Sequence, residues 1–445
     1  MRARLLVSAL ALLVALPGCG GAEADDGRTT VVFWHSLVNS SIPAFEDLVE
    51  RFEAEHPDIR IDAQYIPSGD ALVQKLITSV RSNTAPDVSW IRADYLEDLV
   101  RADAIYPMAD FINGPDGLPD STLEDVYPSL LQLASWRGDL YSLPMEATNL
   151  GLLYNKDLFR EVGLDPERPP QTWDELLEYS RRLTLDEDGD GRNERIGFLA
   201  PVYPADSPLG PWMVWQWTPF LWQAGGSLIT EDQTRVLFGD EAGVQALTLW
   251  KELYEGQNQK TFSNEFMTTF ASQQAAMMLD GPWSLPNYPR LLANMDWGVA
   301  PLPAGPDGRA TIGGGEYLAI FKQSEHPDAA WTFIKWMMEP EVQAQWSRES
   351  GYLPIRRSVL DVPSYRAFLE ENDGLRAFVE QMSVSGNERI DYQQLEISRL
   401  IAQAIERATV GGEDPRAALE AAAAESNRLL DAAERVPDEP VAARR

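Results

Sequence analysis

Cysteine is almost absent from this chain: Cys19 is the only one in 445 residues. No intramolecular disulfide can form, so packing alone must hold the fold together. Histidine is nearly as scarce, with His35, His56 and His326 the full set. His56 and His326 both stand in an EHPD turn, a structural context, which leaves little support for a serine or cysteine nucleophile with a histidine base. The sequence also lacks a G-x-S-x-G elbow, a P-loop, an H-E-x-x-H pair and a G-x-G-x-x-G opening a helix. Basic charge is in deficit, with 37 Lys and Arg against 69 Asp and Glu and a net charge of −32. That balance excludes nucleic acid as a partner, because phosphate backbones need a basic surface. Beyond Leu16 no apolar run approaches the roughly 18 residues of a membrane span. There is no internal repeat.

What is present begins at the start of the chain. Arg2 and Arg4 precede an apolar run from Leu5 to Leu16, too short to span a bilayer and suited to a secretory signal. Leu16-Pro17-Gly18-Cys19 resembles a bacterial lipobox, in which the cysteine becomes the lipidated first residue of the mature chain. Residues 1–18 are therefore expected to be a signal peptide, Cys19 the lipidation site, and residues 19–28 a small, acidic, flexible tether. The expected location is extracytoplasmic, lipid-anchored to the cell membrane, on its periplasmic side or the outer cell surface.

The remaining length exceeds that of one hydrophobic core, so two lobes are expected. Thr29–Trp34 is a β-rich run. Phe45, Leu48, Val49 and Phe52 then repeat at helical spacing, and Ile59, Ile61, Ala63 and Tyr65 alternate as in a strand. Val73, Leu76, Ile77 and Val80 form another helix face, and Asp87–Ile91 reads as a third strand. Strands alternating with helices imply βαβ units and an α/β fold. Farther on, Leu150–Tyr154 reads as a strand and Asp157–Val162 as a short helix. Thr172 with Glu175 forms a capping box. Ala242–Glu255, Ala329–Met338, Ile397–Thr409 and the alanine-rich Ala417–Val436 read as helices.

The 14 tryptophans carry the functional signal. Trp34 and Trp90 lie at strand ends, where parallel sheets place ligands. Trp212, Trp215, Trp217 and Trp222 crowd one segment, and Trp283 follows a Gly-Pro turn. Indole rings match the C–H face of a pyranose, and charged or amide side chains match its hydroxyl edge. Trp331 and Trp336, beside Phe333 and Ile334, read instead as core.

These marks resemble the family 1 extracellular solute-binding proteins, the sugar-binding subunits of ABC importers. The resemblance rests on Phe33-Trp34-His35-Ser36, on Leu153–Phe159, on Gly163–Pro166 and on Pro170–Leu176. It continues through Trp222–Gly226, Met277–Trp283, Ile312–Gly315 and Gly351–Pro354. It implies a type II periplasmic-binding-protein-like fold of two α/β lobes, a hinge crossed several times, and a ligand cleft between the lobes. Lobe 1 is then expected to comprise residues 29–142 and 318–358, lobe 2 residues 143–317 and 359–436, and residues 437–445 a disordered tail. The ligand contacts implied or chosen on chemistry are Trp34, His35, Ser36, Trp90, Arg92, Asp94, Glu146 and Asn149. To these are added Trp215, Trp217, Trp283, Gly314, Gly315, Glu316, Tyr317 and Arg356.

The expected function is capture of a mono- or oligosaccharide without chemistry, and its delivery to ABC permease subunits by a monomeric, lipid-anchored protein. A glycerol-3-phosphate or glycerophosphodiester binder of the same family remains the alternative. From other classes, a secreted glycoside hydrolase or a surface adhesin would also use tryptophans and acids. No cofactor is required. One separate motif, Asp186-Glu187-Asp188-Gly189-Asp190-Gly191-Arg192, follows the start of a calcium loop, with Asp186, Asp188, Asp190 and the backbone of Arg192 as candidate Ca²⁺ ligands. Gly197 stands where such a loop carries its bidentate glutamate, so an acidic turn without metal is the competing reading.

Overall fold

The computed structural model describes residues 27–67, 69–207, 209–256 and 265–434. The signal peptide, Cys19, nearly all of the tether and the tail fall outside the described residues.

The first sheet is built from β1 (Thr29–His35), β2 (Ile59–Tyr65) and β3 (Val88–Arg92). β1 pairs in parallel with both others, Val31 facing Ile61 and Phe33 facing Val88. β3 is buried from Val88 to Ile91, as expected of a strand covered by helices on both faces. Helix Ile42–Glu55 carries Pro43 in its first turn and buries Ala44, Phe45, Leu48 and Phe52 against this sheet. Helix Pro327–Met337 supplies Phe333, whose ring centre lies 5.1 Å from Phe52 and 5.9 Å from Phe33. Trp331 and Trp336 are core residues, as the sequence indicates.

Two hairpin strands, β4 (Ser135–Trp136) and β5 (Asp139–Leu140), precede β6 (Leu143–Pro144), β7 (Thr148–Asn149) and β8 (Gly151–Asn155). β9 (Met277–Asp280) and β10 (Trp297–Ala300) flank β8 in an antiparallel second sheet. β11 (Thr311–Gly314), β12 (Glu316–Ile320) and β13 (Ser385–Gly386) complete the set. The first sheet is ordered β2-β1-β3-β12-β6, so a strand from late in the chain fills a central place. A third small sheet is ordered β13-β11-β7.

The second lobe packs helices Leu209–Gln223, Glu241–Glu255, Gln394–Thr409 and Pro415–Glu434 around one core. Helix Trp173–Leu183 starts as the sequence indicates. Thr172 Oγ1 accepts from Glu175 N at 3.3 Å, and Glu175 reaches back to Gln171 N at 2.7 Å.

Buried clusters mark the lobes. One core holds residues from Val31 to Ala147 and from Tyr317 to Met382. A second holds residues between Leu150 and Leu302, Ile312 and Ile390 to Leu430, and a third, smaller one holds Leu153, Ile196, Phe270, Met278 and Tyr288. The chain thus passes between the first two cores three times, near 147–150, 312–317 and 382–390. The third passage lies later than the expected residue 359. Val359, Tyr365, Leu375, Phe378 and Met382 turn apolar helix faces onto the first core. The same helices are tied to the second lobe, where Asn149 Nδ2 donates to Phe378 O (2.8 Å) and Gln381 Nε2 to Leu150 O (3.1 Å). No helix among the described residues is long and apolar enough to cross a membrane.

Candidate functional site

Two of the three lobe-crossing regions meet at Glu146, together with the turn at Leu353. Met145 N donates to Glu316 O (2.9 Å), and Ala147 exchanges backbone hydrogen bonds with Leu353. The contact is so close that a Cβ on Gly315 would lie 2.0 Å from the Glu146 carbonyl oxygen. Gly315, expected to let a ligand approach, lets the protein's own backbone approach instead.

Glu146 is fully buried, and Trp346 Nε1 donates to its Oε2 at 3.0 Å. Its pKa is pushed well above the usual carboxylate range by burial and by the neighbouring Glu316. Burial also raises Glu316, and the Arg92 guanidinium opposes that rise. The Trp346 ring stacks at 6.3 Å on Tyr352, a residue not among the expected contacts although it sits in the quoted Gly351–Pro354 mark.

On the first lobe, the Trp90 indole lies against Glu146 with its N–H outside hydrogen-bonding geometry. Trp34 Nε1 donates to Gln64 Oε1 (3.0 Å), and Lys75 Nζ lies 3.6 Å from the Trp34 ring centre. No sequence signal marked Lys75 or Gln64. Arg92 is ion-paired with Asp94 and lies 5.1 Å from the Tyr95 ring centre. Ser36 is half-buried just beyond β1.

On the second lobe, Trp215 and Trp283 form a half-buried pair with ring centres 6.2 Å apart. Trp283 packs against both cores. A Cβ on Gly314 would meet Trp215 Cζ2 at 3.4 Å, which places this ring beside crossing strand β11. Glu146 and Glu316 form an acidic floor. Of the expected residues, Trp90 neighbours Glu146, Arg92 and Asp94 neighbour Glu316, and Gly314 leads from the crossing to Trp215 and, beyond it, Trp283.

Others are placed elsewhere. Trp217 is wholly inaccessible inside the second core. It lies two residues after Trp215, so the helix turns it to the opposite side. Tyr317 is buried in the first core, as is His35, which stacks on Phe33 at 5.5 Å. Burial lowers the His35 pKa to about 4, so this imidazole is neutral. Asn149 is buried and spends its amide on Phe378. Arg356 is held by Asp125 at 2.9 Å and by the Met338 carbonyl, a structural clamp in the first lobe.

The acidic turn brings Asp186, Asp188 and Glu194 oxygens within 4.8 Å of one another, all on exposed residues. Asp190 is outside this set and accepts from Arg192 N at 2.7 Å.

Two α/β lobes joined at a hinge, with aromatic and acidic side chains gathered there, define a protein that binds a solute between lobes. The chain belongs to the bacterial extracellular solute-binding protein family, whose sequence model matches residues 37–344. It is 27% identical over 443 residues to the sn-glycerol-3-phosphate-binding periplasmic protein UgpB of Escherichia coli K12, covering 95% of this chain and 96% of that one. Among solved structures, it is similar to the cyclic α-maltosyl-1,6-maltose binding protein of Arthrobacter globiformis. That match has 31% identity, a TM-score of 0.78, and coverage of 91% and 99% of the two chains. The sugar-binding protein MalE of Xanthomonas citri gives 27% identity and a TM-score of 0.75, covering 91% and 98%. These neighbours share the type II periplasmic-binding fold.

Proposed function

We propose that this protein is the solute-capturing subunit of an ABC importer and that its solute is a neutral oligosaccharide. The observation carrying this reading is the Trp215–Trp283 pair beside an acidic floor. Indole faces suit the apolar face of a sugar ring, and the half-buried Arg92–Asp94 pair beside the floor suits its hydroxyls. The acidic floor disfavours a phosphate ester, since Arg92 is already paired with Asp94. The A. globiformis and X. citri relatives, both named for sugar binding, support this reading.

The protein performs no chemistry on its solute and acts by closing its lobes upon it, which shifts the population towards the closed form. It works as a monomer that meets its permease at the membrane, held there by lipid on Cys19. Changing Cys19 to Ser is expected to move the protein from the membrane to the soluble fraction. The turn at Asp186, Asp188 and Glu194 is proposed as a structural Ca²⁺ site of the second lobe. Melting curves with EGTA and with added Ca²⁺ should differ; superimposable curves remove the site.

A thermal-shift screen against maltose, maltotriose, maltotetraose, sn-glycerol-3-phosphate and glycerophosphocholine tests the ligand class. A bound sugar at 100 times its Kd stabilises by about 2.7 kcal/mol. Stabilisation by the phosphate compounds alone overturns the sugar reading. Release of shorter sugars from a hit would make the protein a hydrolase.

A further inference from the structure

The floor of the site poses a problem of charge. Glu146 follows β6, on the first passage between lobes, and Glu316 opens β12, on the second. Glu146 Oε1 and Glu316 Oε2 are both inaccessible to solvent, and neither has a hydrogen-bond donor. Trp346 N–H serves the other oxygen of Glu146. Neighbouring buried carboxyls of this kind do not both ionise, and a shared proton supplies the missing donor.

We infer that Glu146 and Glu316 hold one proton between them at neutral pH, and that this proton fastens two lobe-crossing segments together, so that its loss loosens the hinge.

The surroundings decide which oxygen carries it. From β3 and the turn after it, Arg92 and Asp94 face Glu316, the first favouring its charge and the second opposing it. Trp90 adds a neutral indole from the same strand. The helix Pro340–Ser350 contributes only the Trp346 N–H, and the turn after it the buried Tyr352 hydroxyl. Tyr317, next along β12, is buried and neutral. Arg92 thus stands nearer the Glu316 charge, and Glu146 is the protonated partner donating to it. This assignment agrees with the rise of the Glu146 pKa through burial and the Glu316 charge. The inference rests on the two-lobe reading but not on the identity of the solute.

The test uses the full chain without solute. Infrared spectra at pH 8 should show the C=O stretch of a protonated carboxyl, which disappears in Glu146→Gln. At that pH, Glu97 and Asp280, whose pKa values burial raises to about 7 and about 6, are mostly ionised and add little. As pH rises further, the wild-type band should bleach and the radius of gyration from X-ray scattering should increase in step. In Glu146→Gln an amide can donate permanently to Glu316, so the radius should stay constant over the same range. If that variant does not fold, Glu316→Gln and the wild-type titration carry the same comparison. Absence of the band at pH 8, or its persistence in both variants, overturns the shared proton. A band that bleaches while the radius stays fixed overturns the link to the hinge.

Discussion

Gly315 and Gly314 are adjacent, yet alanine should act oppositely at the two. At Gly315 the new Cβ would lie 2.0 Å from the Glu146 oxygen, 3.1 Å from its carbonyl carbon and 3.4 Å from Ala147 Cα. All three are backbone atoms at the hinge, so no rotamer change relieves the clash. The strands must separate by more than about 1 Å to reach ordinary contact. That disrupts the Met145 N–Glu316 O hydrogen bond, about 1 kcal/mol, and adds overpacking strain of about 1–3 kcal/mol. At Gly314 the Cβ would meet Thr148 Cγ2 and Trp215 Cζ2 at 3.4 Å, an ordinary contact. Alanine there should be neutral, or stabilise by about 0.4–1 kcal/mol by restricting the unfolded chain. Urea unfolding followed by tryptophan fluorescence compares them directly. With a slope of about 3 kcal/mol/M, a difference of about 3 kcal/mol separates the midpoints by roughly 1 M. Coincident midpoints would refute the claim that Gly315 serves the hinge.

Trp283→Ala should weaken binding of a sugar found by the screen by about 1–3 kcal/mol in calorimetry, the loss of a stacking anchor. Arg356→Ala should leave that affinity intact while costing about 1–3 kcal/mol of stability, because Asp125 loses a charged donor; reduced affinity would return Arg356 to the site. Burial raises the Glu97 pKa to about 7, with Arg101 opposing, so the protonated form is favoured in the fold. The associated stability is fully present below the unfolded pKa of about 4.3 and is lost as pH rises through about 7. Glu97→Gln should therefore flatten the fall in melting temperature between pH 5 and 7, and an unchanged slope would contradict it.

The β-strand and helix periods around residues 29–91 were readable because each buries a local apolar face, as with Phe45, Leu48 and Phe52. Capping at Thr172 was readable because its partners lie within four residues. The tryptophan segment was only half readable. Trp212, Trp215 and Trp222 stay half-buried while Trp217 does not, and the 3.6-residue period alone separates Trp215 from Trp217. The partner of Arg356, Asp125, lies 231 positions away, beyond the reach of any local pattern. The same holds for Glu146 and Glu316, whose meeting depends on β12 pairing with β6. Composition carries no trace of such distant pairings.

The central place of β12 also bears on how the chain is made. More than two hundred residues separate it from its neighbour β3. At a synthesis rate of about 5–20 residues per second, β3 waits roughly 10–45 s with one edge unpaired. During that interval the first sheet cannot close and the first lobe cannot reach its final stability. A nascent chain with an unfinished sheet is easier to keep unfolded, which is the state a secretion channel must thread. On this topology the first lobe is expected to complete its folding only after most of the polypeptide exists.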